Sequence, residues 1–207
     1  MPKSLDALGI RWKTDKASTD HNYLVHYEYF LGIPRDADFT LLEIGVFRGS
    51  SARMWSEWFE NAQIVGVDLK LPKLKVTPNN LRLFTGDITS PKTLAGLQKK
   101  IQAPLVILDD ASHKWDDQIL GLQTLWPWLS SGGRYIVEDL HTSYMTGFSG
   151  TQVFSCANFL SDIASRLQMT EEAKHASSST SPPWVLTLIE EISAITFLRG
   201  SAIIFKK

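Results

Sequence analysis

Two short apolar runs, each ending in a pair of acidic residues, constrain the fold of this chain most strongly. They cover residues 105–108 and 135–138 and are separated by about one helix-length of chain. Apolar, β-branched runs that end abruptly in charge are typical of buried parallel strands whose carboxyl ends open onto a site. The acidic residues at these ends are Asp109, Asp110, Glu138 and Asp139. Because ligands of open α/β sheets bind at those ends, the sequence predicts such a site here.

The order of the other elements predicts an α/β fold with a doubly wound, mostly parallel, seven-stranded Rossmann-like sheet. Strands alternate with helices, which is the pattern of parallel sheets. The chain ends in a predicted antiparallel hairpin, from residue 189 to 198 and from 202 to 205, with a turn at Arg199 and Gly200. The remaining predicted strands cover residues 40–46, 63–68 and 81–85.

The absence of internal repeats and of a second apolar core predicts a single domain over residues 1–207. Residues 1–35 are interpreted as a helical N-terminal segment that covers a cofactor, with residues 1–20 irregular and a helix over 21–30. Residues 174–183, which are rich in Ser and Pro, have the composition of a flexible linker.

The composition of the chain limits the classes of partner and the cellular location that we expect. A net charge of −1 gives no general attraction to nucleic acid or to an anionic membrane, so neither partner is expected. Cys156 is the only cysteine, and the N-terminus has no apolar signal-peptide core. No run of residues reaches the length of a transmembrane helix. A reduced, cytoplasmic location is therefore predicted.

A glycine turn after the first strand predicts a nucleoside-binding site. Gly45 and Gly49 allow the backbone to approach a ligand closely, but their G-x-x-x-G spacing differs from the fingerprints of NAD and triphosphate sites. Asp68, at the end of the second strand, is predicted to accept the ribose hydroxyls, and Asp87 an adenine amine. Glu43 is predicted either to reach an amino group of the ligand or to hold the turn.

The acidic pairs predict a metal site. If the two strands are neighbours, Asp110, Glu138 and Asp139 converge, and clustered carboxylates of this kind need a cation such as Mg²⁺ or Mn²⁺. The alternative is a structural ion-pair cluster with Arg134 or Lys114 as the cation. His113, three residues after Asp110, is the candidate general base, with His141 as its rival.

These motifs resemble the class I S-adenosylmethionine-dependent methyltransferases, and among them the mycinamicin and macrocin sugar O-methyltransferases. The resemblance runs from about residue 12 to the final hairpin. Lys13 and Ala111 depart from the family pattern, in which glycine is usual. The matching residues, besides the glycine turn with Asp68 and Asp87, are Asp109-Asp110-Ala111-Ser112-His113, Gly132-Gly133, Glu138-Asp139, Thr142-Ser143-Tyr144, Gly147-Phe148, and Thr14-Asp15-Lys16 with His21, Tyr23, Tyr27 and Glu28.

The resemblance implies a Mg²⁺-dependent O-methyltransferase of natural product biosynthesis that uses S-adenosylmethionine. The acceptor would be the hydroxyl of a sugar or of a glycosylated small molecule. It further implies metal ligation by Asp110, Glu138 and Asp139, with His113 as general base. Asp109 is expected to face the methionine part of the cofactor or to cap the turn.

The acceptor side is predicted from loop residues. His141, Tyr144 and Phe148 are the substrate residues, and the loops over residues 142–150 and 174–183 are expected to act as mobile lids. For Tyr144 and Phe148, packing as ordinary loop anchors is the alternative. A homo-oligomer is expected.

Three other functions remain open from the sequence. The chain could methylate a phenol, a catechol or another metal-chelating small molecule such as a polyol. It could be a NAD-type oxidoreductase, which the missing G-x-G-x-x-G motif disfavours. It could also bind S-adenosylmethionine without transferring the methyl group.

Overall fold

The computed structural model describes residues 4–151, 154–170 and 181–207, which form an α/β fold around one seven-stranded sheet. The strand order is β3-β2-β1-β4-β5-β7-β6, in which β1 to β5 are parallel and β7 runs antiparallel to both of its neighbours. The predicted fold class is therefore confirmed. The strands are β1 (Thr40–Ile44), β2 (Gln63–Asp68), β3 (Leu81–Thr85), β4 (Val106–Asp109), β5 (Arg134–Val137), β6 (Ile192–Leu198) and β7 (Ser201–Lys206).

The central strands are apolar because both faces of the sheet are covered by helices. On one face, Leu122 and Leu160 belong to a core that also includes residues of the last helix. On the other face, Leu8, Tyr27 and Trp55 belong to a second core. The helices are α1 (Leu5–Trp12), α2 (Leu24–Leu31), α3 (Ser50–Trp58), α4 (Pro91–Gln98), α5 (Trp115–Leu125), α6 (Cys156–Arg166) and α7 (Pro183–Glu191). Among the described residues, no helix is long and apolar enough to cross a membrane.

The strand order reverses at β1, which has β2 on one side and β4 on the other. At such a point the connections leave the sheet in opposite directions, and a crevice opens at the carboxyl ends of the strands. The loop after β1, the loop after β4 and the loop after β5 all meet this crevice. The fold therefore positions the site predicted from the acidic pairs.

The prediction that residues 1–20 are irregular is wrong, because α1 lies within them. Ser4 caps this helix by accepting the N–H of Ala7, and Leu5 and Leu8 are fully buried against the sheet. The helix has only eight residues, of which Leu5, Leu8 and Gly9 are buried, so the periodic pattern is too short to stand out.

The first strand of the final hairpin begins three residues later than predicted. Residues 189–191 belong to α7, which starts at Pro183 with Pro182 as its N-cap and continues to Glu191. Proline is favoured in the first turn of a helix, where no intrahelical donor is lost. Of the predicted linker, residues 174–180 lie outside the described residues.

Candidate active site

The glycine turn after β1 passes directly over the end of β4. A Cβ atom on Gly45 would lie 2.0 Å from the carbonyl oxygen of Asp110, and the φ angle of Gly45 is +88°. Only glycine fits this approach and this backbone conformation without strain. Gly49, with a φ angle of +72°, is the N-cap of α3.

A cavity of about 330 Å³ opens beside this turn, and we refer to it as the cofactor cavity. Four of the predicted cofactor residues line it: Gly45, Asp68, Asp87 and Asp109. His113 lines the same cavity, so the predicted general base borders the predicted cofactor site. Glu43 and Gly49 are not among the residues that line it. Their roles toward a cofactor stay predictions.

Asp68 holds the glycine turn in place. Its Oδ2 atom accepts the N–H groups of Val46 at 2.8 Å and Phe47 at 2.9 Å, and its Oδ1 atom accepts the N–H of Lys70 at 3.0 Å. Partial burial would raise the pKa of Asp68, but these backbone donors outweigh burial and lower it. A carboxylate offers about four acceptor positions, so roughly one remains for a ligand hydroxyl.

Glu43 and Asp109 are buried carboxyl groups near the turn. Burial raises the pKa of Glu43 to about 7, against the opposing charge of Lys16, and neither oxygen makes a hydrogen bond of good geometry to a described residue. Burial likewise raises the pKa of Asp109 to about 7, although the hydroxyl of Tyr135 donates to it at 3.2 Å. Asp87 is more open, and its Oδ1 atom accepts the N–H and hydroxyl of Thr89.

The acidic residues after β4 and β5 lie together, and we call Asp110, Glu138 and Asp139 the carboxylate cluster. The two strands pair in parallel, so their carboxyl ends share one edge of the sheet. One ligand atom each from Asp110, His113 and Asp139 lies within 4.8 Å of the other two. The geometry of these three groups fits a small cation, while the metal role of the cluster stays a prediction.

The cation that contacts the cluster is Lys16, and neither Arg134 nor Lys114 takes this place. The ammonium group of Lys16 makes ion pairs with Asp110 and Glu138, and the residue is only 1% exposed. Arg134 starts β5 at the other end of the strand, where its guanidinium donates to the carbonyl of Gly132.

Charge, and not solvation, keeps Lys16 protonated. Burial alone would lower its pKa, but the charges of Glu138 and Asp110 hold the pKa well above its usual value. Burial raises the pKa of Glu138 and of Asp110, and Lys16 opposes that rise. An ion pair thus offsets the burial of these carboxylates.

Two tyrosines complete the contacts of the cluster. The hydroxyl of Tyr27 donates to Oε1 of Glu138 at 2.9 Å, and the hydroxyl of Tyr23 donates to Oδ1 of Asp139 at 2.8 Å. In the sequence, Tyr23 and Tyr27 were indicated only by the resemblance of the motif around Thr14-Asp15-Lys16 to the sugar O-methyltransferases. Their spacing of four along a helix was the other available signal, since it places both side chains on one face.

His113 lies against the cluster in a strained backbone conformation. Its φ angle is +58°, its Nε2 atom lies 3.5 Å from Oδ2 of Asp139, and its Nδ1 atom is buried. The hydroxyl of Thr142 lies 2.9 Å from the His113 carbonyl oxygen and 2.8 Å from that of Asp139, which also has a positive φ. Strain of this kind persists where surrounding contacts fix it, and such contacts are often found at functional sites.

Another cavity, of about 480 Å³, is lined in part by Tyr23 and His141, which both contact Asp139. Three histidines line it, His21, His26 and His141, together with Tyr23 and Arg199, and we call it the histidine cavity. The ring of His21 stacks on Tyr23 at 5.2 Å and on His141 at 6.2 Å. His141 is half exposed, and its Nδ1 atom lies 3.9 Å from Oδ1 of Asp139, which makes it the more distant rival of His113.

Tyr144 and Phe148 lie on two short 3₁₀ turns, Leu140–Tyr144 and Thr146–Phe148. Tyr144 is 79% exposed, and neither aromatic residue is among those that line the histidine cavity. Their predicted contact with an acceptor, and the mobility of the loop over residues 142–150, stay predictions.

Several curated proteins that are similar to this chain are named as O-methyltransferases that act on natural products. The chain is 33% identical to the 8-demethyl-8-α-L-rhamnosyl tetracenomycin-C 2′-O-methyltransferase of Streptomyces olivaceus, over 70% of this chain and 40% of the relative. It is 30% identical to the mycinamicin VI 2″-O-methyltransferase of Micromonospora griseorubida, over 70% of this chain and 38% of the relative. No protein-family model matches the chain.

Among solved structures, the chain resembles the MycE methyltransferase of the mycinamycin biosynthetic pathway. The structure of that protein with Mg and SAH matches 100% of this chain and 55% of that chain, with a TM-score of 0.83 and 24% identity. The structure with Mg, SAH and mycinamycin VI matches 98% of this chain and 53% of that chain, with a TM-score of 0.82 and 26% identity.

These comparisons confirm the resemblance predicted from the motifs and the class I methyltransferase fold. The chain spans about 40% of the length of the curated relatives and about half of the length of the solved structures.

Proposed function

We propose that this chain, which has the fold of the class I S-adenosylmethionine-dependent methyltransferases, is a Mg²⁺-dependent O-methyltransferase that acts on a hydroxyl group of a glycosylated natural product. The observation that carries the proposal is the position of His113, which borders both the cofactor cavity and the carboxylate cluster. One side chain is thereby placed between a nucleoside-sized cavity and a group of metal-type ligands. The two curated relatives described above are named as O-methyltransferases, which supports the same chemistry.

The cofactor cavity suits S-adenosylmethionine better than a dinucleotide. The turn at Gly45 lies close to the end of β4, and its sequence lacks the glycine pattern that surrounds a pyrophosphate. Asp68, whose pKa is lowered, would accept a ribose hydroxyl, and Asp87, which lines the same cavity, would accept an adenine amine. Asp109, which lines the cavity, would face the methionine part of the cofactor, and Glu43 would reach its amino group.

Asp110, Glu138 and Asp139 would hold the metal ion. Their carboxylate oxygens are the donors that hard divalent cations prefer, and His113 and Asp139 border the same gap as Asp110. When bound, Mg²⁺ supplies charge that lowers the pKa of a substrate hydroxyl. Each oxygen of Glu138 carries a single contact in this structure, so further acceptor positions remain on both.

His113 would accept the proton of the acceptor hydroxyl at Nε2, the ring nitrogen that faces the carboxylate cluster. Asp139, at 3.5 Å, would then stabilise the imidazolium that forms. The sulfonium methyl group of the cofactor is already activated, so the main tasks of the chain are alignment and proton removal.

The histidine cavity is the proposed acceptor site, since two of the residues that line it, Tyr23 and His141, contact Asp139. Stacked rings and the polar groups of His26 and Arg199 suit the apolar face and the hydroxyls of a sugar ring. Phenols, catechols and other polyols remain the competing acceptors. The cytoplasmic location, the homo-oligomer and the absence of nucleic acid or membrane as partners stay predictions.

Mass spectrometry of acceptors incubated with the chain and S-adenosylmethionine tests the proposal. The acceptors are 8-demethyl-8-α-L-rhamnosyl tetracenomycin C, mycinamicin VI, and catechol, each with Mg²⁺ or with EDTA. We expect one added methyl group on a glycoside in the presence of Mg²⁺ only, and none with the His113→Ala variant. Methylation of catechol alone would favour the phenol alternative, and cofactor binding without any product would favour a binding protein.

A further inference from the structure

We infer that Lys16 is a built-in cation of the carboxylate cluster, which holds the cluster together without metal and limits how tightly a divalent ion binds there. The N-terminal segment from residue 15 to residue 27 thereby becomes a part of the metal site. The effect on metal binding rests on the proposed function, whereas the effect on the metal-free protein does not.

The first step of the argument is geometric. Each member of the carboxylate cluster receives a donor from the N-terminal segment, although the segment lies more than 90 residues away along the chain. Lys16 contacts Asp110 and Glu138 through its ammonium group. Tyr27 and Tyr23 donate their hydroxyls to Glu138 and Asp139, respectively.

The segment is held firmly enough to act as a support. The carbonyl oxygen of Lys16 accepts the N–H groups of Tyr23 at 2.8 Å and Leu24 at 3.1 Å, so the residue also closes the turn that leads into α2. Asp6 of α1 accepts both the N–H and the hydroxyl of Ser18 at 2.7 Å. Residues of α1, which precedes the segment, and of α2, which begins within it, belong to the core on this face of the sheet, and this packing helps to fix the position of the ammonium group.

The second step concerns charge. Glu138 is buried and Asp110 is partly buried, with 19% of its side chain exposed, and buried carboxylates without a counter-charge are strongly unfavourable. Among the described residues, no other lysine or arginine makes an ion pair with the cluster. Removing the ammonium group therefore leaves two close carboxylates that repel each other.

The positive charge of Lys16 also opposes the binding of a divalent metal ion at the carboxylate cluster. The ammonium of Lys16 offsets part of the negative charge that Asp110 and Glu138 would otherwise offer to a metal ion. Since Lys16 shares Asp110 and Glu138 with the proposed metal, its positive charge repels the metal at short range. A variant without this charge should be less stable as the metal-free protein and should bind a divalent ion more tightly.

Thermal unfolding and Mg²⁺ titration calorimetry of Lys16→Met test the inference, with Lys92→Met as the matched control on the exposed surface of α4. We expect a lower metal-free Tm for Lys16→Met, a larger rise of Tm on addition of Mg²⁺ than in the unmodified chain, and about a tenfold or greater gain in Mg²⁺ affinity. Lys92→Met should change neither quantity. Equal or weaker Mg²⁺ binding by Lys16→Met would overturn the role of Lys16 in metal affinity.

The double variant Lys16→Met/Glu138→Gln tests the charge argument without metal, and it also covers the case in which the single variant fails to fold. It restores the charge balance of the cluster, so we expect its Tm to exceed that of Lys16→Met. Additive losses of Tm would mean that Lys16 acts by packing, and would overturn the inference. If the unmodified chain binds no Mg²⁺, the proposed metal site fails, but the metal-free comparison still decides the role of Lys16 in holding the cluster.

Discussion

Glu43→Gln should make the stability of the protein less dependent on pH, and should make the protein more stable above neutrality. Glu43 is 0% exposed near the carboxyl end of β1, a central strand of the sheet, and burial raises its pKa from the usual 4.5 to about 7. The folded protein therefore binds a proton at Glu43 that the unfolded chain has lost over this range of pH. Glutamine resembles the protonated carboxyl group in shape and does not titrate.

The magnitude follows from the shift. For a carboxyl group with a raised pKa, its contribution to stability is fully present below the unfolded pKa, here 4.5, and is lost as the pH rises through about 7. A shift of this size corresponds to about 3 kcal/mol of unfolding free energy over the whole range. The Glu43→Gln variant should therefore match the unmodified protein near pH 4.5 and exceed its stability by up to about 3 kcal/mol at pH 8.

Urea unfolding at a series of pH values between 4.5 and 8, followed by tryptophan fluorescence, measures this difference. Glu60→Gln, at an exposed position after α3, is the control, and it should give a curve parallel to that of the unmodified protein. Equal pH dependence for Glu43→Gln and the unmodified protein would refute the reasoning, since it would mean that Glu43 is ionised at no cost in the folded state.

Other perturbations test the site directly. His113→Ala should lower kcat by about 10² to 10⁴ with little change in cofactor affinity, and a pH–rate profile that keeps its acidic limb would transfer the role of base to another group. Asp139→Asn, or exhaustive chelation with EDTA, should abolish turnover and leave calorimetric binding of S-adenosylmethionine nearly intact, so full activity after chelation would contradict the metal role. Asp68→Ala should weaken cofactor binding by roughly 10- to 100-fold, because the turn loses its backbone acceptor and the ribose loses a charged one. An unchanged Kd would remove Asp68 from the cofactor site.

The sheet, and the end of the sheet at which the site lies, were predictable because buried parallel strands have a recognisable pattern of apolar residues in the sequence. The runs that become β4 and β5 are mainly apolar and are followed by acidic residues at their carboxyl ends. This contrast can be read from the sequence alone. The glycine turn at Gly45 is equally local, since it occupies a few consecutive residues between a strand and a helix.

Lys16 was not predictable as the cation of the carboxylate cluster because its role depends on distant contacts. Its partners lie 94 and 122 residues along the chain, and a lysine in a polar segment usually indicates an exposed position. Arg134 and Lys114, which are close in sequence to the acidic pairs, were for that reason the cations of the alternative to a metal site. The boundary between α7 and β6 was missed for a related reason, because an apolar run fits either a helix or a strand until its packing is known.

A crystal structure grown with SAH and Mn²⁺, with data collected at the manganese absorption edge, tests the central claim most directly. We predict one anomalous peak between Asp110, Glu138 and Asp139, and density for SAH in the cofactor cavity beside Gly45. Manganese is used because it favours the same oxygen ligands as magnesium and scatters anomalously. A cluster without an anomalous peak, or SAH bound away from that cavity, would contradict the claim that this chain is a metal-dependent methyltransferase.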